Sequence, residues 1–286
     1  MGDPWSPQAL AAVPRTRPVL LMGTGLTAVD VALTLFRTGQ SAQVTAVSRH
    51  GLLPRTHPKG ETAAPPVLLP PRLPSSLPAL VRVVRRAADH CGDWRAVMNV
   101  LRPRLNEVWA SLSVADQERF LRHLGRHWEI HRHRMAPAVA EELAELQASG
   151  ALRVRAVGPD GRDPRLGQCS GQAATVSWGD GFGATVSCTG PGRLPAAADG
   201  LVRTLLDEGR ARLGPHGLGL DVSPDGNVVR RDGQPIPRLW LVGPLRRGRF
   251  WETTAVPEIR AQARDLVTAL ACGPSERGRI PDLVPR

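Results

Sequence analysis

The sequence predicts an α/β fold with a parallel sheet, on three observations. Val19-Leu-Leu-Met22 is a short apolar run that stops at Gly23-Thr-Gly25. Ala32, Leu33, Leu35 and Phe36 then recur at helical spacing, with Gly39 placed to end the helix. Gln43 to Ser48 reads as a second strand, which completes a βαβ unit.

The four apolar residues suit a buried parallel strand, and Gly23, Gly25 and Ala28 fit the G-x-G-x-x-G/A turn of a Rossmann-like fold. In that turn the backbone bends tightly and leaves room for a pyrophosphate. Thr24, Leu26 and Thr27 fill the intervening positions, and the helix that follows aims its free N–H groups at the anion. A glycine pair between strand and helix also serves as a plain turn, so the surrounding βαβ pattern is what gives the motif weight.

The residue after the second strand selects the dinucleotide. An acid there binds the ribose 2′-hydroxyl of NAD, whereas a cation accommodates the 2′-phosphate of NADP. The chain has Ser48-Arg49-His50. This favours NADP(H), with Arg49 as phosphate ligand and Ser48 as hydrogen-bond donor; the other reading of Arg49 is a solvated arginine in an arginine-rich chain.

At 286 residues with 42% hydrophobic content, the chain is long enough for one large core or two smaller ones. No apolar stretch reaches membrane-spanning length, and Met1-Gly-Asp-Pro-Trp5 lacks the basic and apolar regions of a signal peptide, so the expectation is a cytoplasmic protein with no membrane partner. Cys91, Cys169, Cys188 and Cys272 are scattered without metal-ligand spacing and read as reduced thiols, with no metal site. The net charge of +11 raises nucleic acid as a partner. Lys59 is the only lysine, however, and arginine is spread along the whole chain, so compositional bias accounts for the charge and no nucleic-acid partner is expected.

The segmentation follows composition. Residues 1–60 form the NAD(P)-binding βαβ unit, with Met1 to Arg17 as a leading linker. Residues 61–78 are a proline-rich linker, which excludes helix and central strand. Residues 79–150 are a helical insertion: Leu80 to Val84, then Trp94 to Leu101, then Val108 to Leu112. A near capping box at Ser113 opens the helix through Phe120 and Leu124, and Pro137 starts another. His123, His127 and His131 stand at i, i+4 and i+8, one above another on a helix face. The outer two are roughly 12 Å apart by helical rise, too far to share one metal ion. The face is read as polar or interfacial, with His131 to Arg134 as candidates for the cleft.

Residues 151–286 return to strands. Leu152 to Val157 is a strand, Gly158 to Gly171 a loop, and Ala173 to Ser177 with Ala184 to Cys188 a hairpin. Leu201 to Glu208 is a short helix and Asp225-Gly226 punctuates a second hairpin. Leu239 to Val242 is expected as the last buried strand, closed by Gly243-Pro244, with a basic loop from Arg246 to Arg249 and a final helix from Ala255 to Leu270.

Six segments together carry a family resemblance: Gly23-Thr-Gly-Leu-Thr-Ala-Val-Asp30, Ser48-Arg-His-Gly-Leu-Leu-Pro54, Gly92-Asp-Trp94, His131-Arg-His-Arg-Met-Ala-Pro137, Cys188-Thr-Gly-Pro191, and Gly243-Pro244 with Phe250-Trp-Glu-Thr-Thr-Ala-Val-Pro-Glu-Ile259. In this order they resemble the bacterial FAD/NAD(P)-binding proteins, two-dinucleotide flavoproteins related to FAD-dependent urate hydroxylase and flavin-dependent amino-acid N-oxygenases. The resemblance runs from about Asp3 to the end. It implies a Rossmann-like NAD(P)-binding domain with a helical insertion and the carboxyl-terminal part of an incomplete FAD-binding domain, with NADP(H) and FAD as cofactors.

On this resemblance Gly23, Gly25, Ala28, Ser48 and Arg49 fall in the NADPH site, and Thr189 and Gly190 fall where the chain returns to the FAD domain. Gly243, Thr253 and Thr254 fall beside the flavin. One departure is Pro244, where the broader glutathione-reductase-like pattern has an Asp. A larger one is that such proteins begin with their own FAD-binding βαβ unit, and this chain starts after it. Two readings follow: part of a flavin-dependent NADPH oxidoreductase or monooxygenase whose other half comes from a second chain or from upstream sequence, or a truncated non-catalytic dinucleotide-binding module. Catalytic residues and substrate are not assigned.

Overall fold

The computed structural model describes residues 3–6, 8–41, 43–60, 66–157, 181–190, 192–194, 196 and 200–271. The loop expected over Gly158 to Gly171, the strand expected over Ala173 to Ser177, Cys169 and Cys272 lie outside them. The chain divides into two units, Met1–Ala64 with Leu121–Pro191, and Pro65–Phe120 with Gly192–Arg286.

In the first unit, strand β1 (Val19–Met22) leads through helix α1 (Leu26–Arg37) to β2 (Val44–Ser48), and two further strands, β3 (Leu152–Ala156) and β4 (Ala184–Ser187), complete a four-stranded sheet of order β3-β2-β1-β4. Every pairing is parallel: Val19 lies beside Val44 and Ala184, and Val44 beside Leu152. Central parallel strands are covered on both faces, which is why β1 and β2 are nearly continuous apolar runs. Val19, Leu20, Leu21, Val44 and Val186 are completely buried. α1 contributes Val29, Val31, Ala32 and Leu35 to that core, and α7 (Pro137–Ala148) contributes Leu143. The fold is mixed α/β and Rossmann-like.

The amino-terminal segment is more than a linker. Val13 is 3% exposed and Leu10 packs on the sheet's core, because a short 3-10 turn at Leu10–Ala12 directs both inward. Surface ion pairs join Arg37 of α1 to Glu142 of α7 and Lys59 to Glu141.

The helices between β2 and β3 are shared between the units. α2 (Leu77–Cys91), α3 (Trp94–Leu101) and α4 (Leu105–Ser111) belong to the second; α5 (Val114–His123) carries the chain back toward the first, where α6 (Gly125–Arg132) and α7 follow. Helix ends match their sequence signals. Gly92 ends α2 in the left-handed region at φ +69°, Asp93 caps α3 by accepting the Arg95 N–H at 2.9 Å, and the Ser113 hydroxyl accepts the Asp116 N–H at the start of α5. The expectation of three histidines stacked on one helix face is overturned. α5 stops at His123, Leu124 takes φ −114° and ψ −21°, and Gly125 opens α6, so His123 sits on one helix and His127 and His131 on the next.

The second unit holds α8 (Gly200–Asp207), a two-stranded antiparallel sheet of β5 (Asn227–Val229) and β6 (Pro235–Trp240), and α9 (Val256–Ala271). The expected buried strand at Leu239 to Val242 is corrected: the strand is β6, and it is half-buried to exposed. Pro235 and Pro237 cannot donate ladder hydrogen bonds and Arg238 takes φ +65°, so this segment suits a two-stranded ribbon and not a sheet interior. Trp109 stacks on Trp251 with ring centroids 4.6 Å apart, and Phe120 meets both edge-on, the local core around which α4 and the segment before α9 are held. Arg102 grips Glu258 with two bonds of 2.6 Å, pinning the first turn of α9.

Burying a leucine side chain is worth about 1.5–3 kcal/mol, and deleting one adds a cavity term. Leu21→Ala is therefore expected to cost about 2–5 kcal/mol in denaturant unfolding. Leu270→Ala, at a residue 56% exposed, leaves stability almost unchanged in the same measurement.

Candidate functional site

Strand order 3-2-1-4 places a topological switch point between β1 and β4, and in open α/β sheets ligands bind outside the carboxyl ends of the strands at such a point. The segments that leave those ends meet there. Gly23 follows β1 at φ +117°, and a Cβ at that position would fall 2.3 Å from the Cys188 carbonyl oxygen and 3.2 Å from the Thr189 nitrogen. Only glycine lets the turn pass this close to β4. The Gly23 N–H donates to the Val47 carbonyl and the Cys188 N–H to the Met22 carbonyl, so the ends of β2, β1 and β4 are stitched together. Burial raises the Cys188 thiol to about 11, leaving it protonated and unreactive.

Gly25 is the N-cap of α1, which has no side-chain cap and no acid in its first turn. The first N–H groups of a helix have no intrahelical partner, and the first turn of α1 supplies no carboxylate to compete for them. Thr24, 1% exposed, holds the turn. Its hydroxyl donates to the Leu52 carbonyl at 2.6 Å and lies 2.8 Å from the Ser48 hydroxyl. With the threonine proton on Leu52, Ser48 donates to Thr24 and accepts the Gly51 N–H at 3.0 Å. The hydroxyl expected as a cofactor donor is thus engaged in joining two loops.

Arg126, in the first turn of α6, was not singled out by the sequence. Its Nη2 donates to the Thr24 carbonyl and the Thr24 hydroxyl, both at 2.9 Å, and to the Leu52 carbonyl. The ring of His127, the next residue, meets that of His50 edge-on at 5.9 Å. Burial pushes His50 below the usual imidazole value of 6.5, and the positive charges of Arg49, His127 and Arg126 push it further the same way. Gly23, Thr24, Gly25, Leu26, Thr27, Ala28, Ser48, Arg49, Thr189 and Gly190 therefore all lie at the carboxyl end of this one sheet, with Arg49, Thr189 and Gly190 exposed.

Gly243, Thr253 and Thr254 are in the second unit. The Gly243 N–H donates to Gln262 of α9 at 2.8 Å. Thr253 is completely buried, yet among the described residues its hydroxyl has no hydrogen-bond partner; Thr254 is exposed. The expectation of a basic loop at Arg246 to Arg249 is corrected in part: Pro244–Arg246 is a 3-10 turn, and Arg246 is 9% exposed with its guanidinium over the Phe250 ring at 4.5 Å. Its Nε is buried and unpaired, and burial lowers its pKa. Two orphaned buried polar atoms on one short segment are what a bound polar group would satisfy.

Two of the other cleft candidates have local partners. His131 Nδ1 pairs with the His127 carbonyl one turn earlier in α6, and His133, just past the end of that helix, pairs with Glu129. Among the described residues no group of three metal-ligating side chains gathers, and no helix is long and apolar enough to cross a membrane.

The fold and the turn define a Rossmann-like unit whose glycine turn is contacted by Arg126. No protein-family model matches the chain, and no curated relative matches it. Among solved structures it is similar to an ornithine hydroxylase from Pseudomonas aeruginosa, at 15% identity and a TM-score of 0.46, over 89% of this chain and 52% of that one. The chain spans about half the length of that enzyme.

Gly23→Ala combines a positive φ with a clash against the Cys188 carbonyl, and is expected to lower stability by at least about 1–3 kcal/mol in thermal or denaturant unfolding. His50 is expected to titrate below 6.5 by NMR, and Arg49→Ala to move it upward. The folded chain binds that proton more weakly than the unfolded chain, so His50 withdraws stability as pH falls below about 6.5.

Proposed function

We propose that the chain binds NADP(H) at the carboxyl end of its parallel sheet and forms the nicotinamide-binding part of a flavin-dependent oxidoreductase or monooxygenase. In this reading residues 1–60 are the NAD(P)-binding βαβ unit, 61–78 a linker, 79–150 a helical insertion, and 151–286 the return to the sheet with the carboxyl-terminal part of an FAD domain. The observation that carries it is the Gly23–Gly25 turn at the switch point, opened by a residue that only glycine can occupy and contacted by Arg126.

The geometry supports this division of roles. Gly23 and Gly25 expose backbone to the pyrophosphate, and the N–H groups at the start of α1, over Leu26 to Ala28, face its charge. Arg49, exposed beside the end of β2, meets the ribose 2′-phosphate. Thr24 and Ser48 hold the two loops in register. On the second unit the unpaired Thr253 hydroxyl and Arg246 Nε fit a polar flavin contact, with Gly243 and Thr254 alongside. FAD, when bound, supplies electron acceptance from the nicotinamide and the reaction of the reduced ring with dioxygen. The remaining FAD-binding half would come from a second chain or a further part of the same polypeptide.

Titration of the purified chain is expected to give tighter binding of NADPH than of NADH. Arg49→Ala removes a charge-assisted contact worth about 1.5–3 kcal/mol, so it is expected to weaken NADPH roughly ten- to hundredfold and leave NADH unchanged. Equal affinity of the parent chain for both cofactors would overturn the choice of NADP. Visible flavin absorbance surviving desalting, with FAD added, would support the two-cofactor reading; NADPH binding without it reduces the chain to a dinucleotide-binding module.

A further inference from the structure

Arg126 is a half-buried guanidinium with an unusual set of partners. All three of its hydrogen bonds run from one nitrogen, Nη2, to oxygens of the loops after β1 and β2. Nη1 points elsewhere: it lies 3.9 Å from where a Cβ on Gly25 would stand, over the last residue of the glycine turn. Among the described residues no carboxylate lies within ion-pair distance of it. The one acid that acts on its charge, Glu129, is itself 3.2 Å from His133. Withdrawing a guanidinium from water without a counter-ion is costly, and burial indeed lowers its pKa. Arg49 adds charge of the same sign nearby. The balance at this loop calls for an anion.

We propose that Arg126 is a phosphate clamp that grips the dinucleotide pyrophosphate across the Gly23–Gly25 turn. The proposal rests on the dinucleotide reading of the same loop. A pyrophosphate at the start of α1 must pass within reach of Nη1, and the bonds from Nη2 fix the plane of the guanidinium beforehand, so its fork is already oriented. The two arginines then divide the work. The pyrophosphate is common to NAD and NADP, so Arg126 strengthens both without choosing between them, whereas Arg49 meets the group that only NADP carries. The competing role for Arg126 is as a brace, in which its bonds to Thr24 and Leu52 hold the loop and its charge is incidental.

The test compares Arg126→Gln and Arg126→Lys with the parent chain, measuring affinity for NADP⁺, NAD⁺ and inorganic pyrophosphate at low and high salt, together with ligand-free melting. A clamp predicts that Arg126→Gln weakens all three ligands about tenfold, keeps the NADP⁺ to NAD⁺ ratio, and flattens the salt dependence, with Arg126→Lys recovering part of the loss. Unchanged affinity in Arg126→Gln overturns the clamp. So does a loss that Arg126→Lys fails to recover and that follows a fall in ligand-free melting temperature, which is the signature of a brace. A parent chain that binds none of the three removes the dinucleotide reading itself, an outcome distinct from parent binding that is indifferent to Arg126.

Discussion

The Thr24 hydroxyl is buried where the loops after β1 and β2 meet, and the arrangement of this end of the sheet depends on its bonds to Ser48, Leu52 and Arg126. A buried hydroxyl left unpaired costs more than a paired one gains, so these partners are constrained together. Fixing Thr24 fixes Gly23 on one side and Gly25 on the other. Gly23 is then forced against the Cys188 carbonyl, which sets the start of the loop after β4. One side chain thereby couples three segments that are distant in sequence.

The second unit is held by different means. Its aromatic stack of Trp109 and Trp251 is closed by polar bonds: Trp109 Nε1 donates to the Gly248 carbonyl, Gln117 Nε2 donates to the Trp109 carbonyl, and His216 pairs with Gln117 Oε1. Each satisfied polar atom fixes a ring orientation that apolar packing alone would leave loose. Thr253 and Arg246 stand out against this background because the same segment leaves them unsatisfied. α9 has no buried residue, and Val256, Val267 and Leu270 are exposed along it.

What the sequence made legible was local. β1, α1 and β2 follow from hydrophobic periodicity and a glycine turn, signals contained within about thirty residues. The helix starts at Ser113 and Pro137 were readable for the same reason. Spacing misled where a break is subtle: His123, His127 and His131 keep helical intervals across Leu124 and Gly125, yet the helix ends between them. Apolar content is misleading at Leu239 to Val242, because Pro235 and Pro237 just upstream disfavour a sheet interior. Ser48 was placed correctly at the end of β2, but its engagement with Thr24 and Gly51 depends on tertiary structure. Arg126 had no sequence signal, since its meaning comes from a loop about a hundred positions away, and the chain offers many arginines.

The placement of β3 beside β2 has a kinetic side. Val44 pairs with Leu152, so the sheet is finished only after the chain between them, most of the helices included, has been brought round. Closing so long a loop costs little more equilibrium free energy than closing one half its length, because the entropy grows only with the logarithm of length. Rates respond more strongly, since distant pairings slow folding. The β1-α1-β2 segment, local and strongly apolar, is thus the natural nucleus, and the β3 and β4 edges, which pair across much longer stretches of chain, are the last parts of the sheet to be secured.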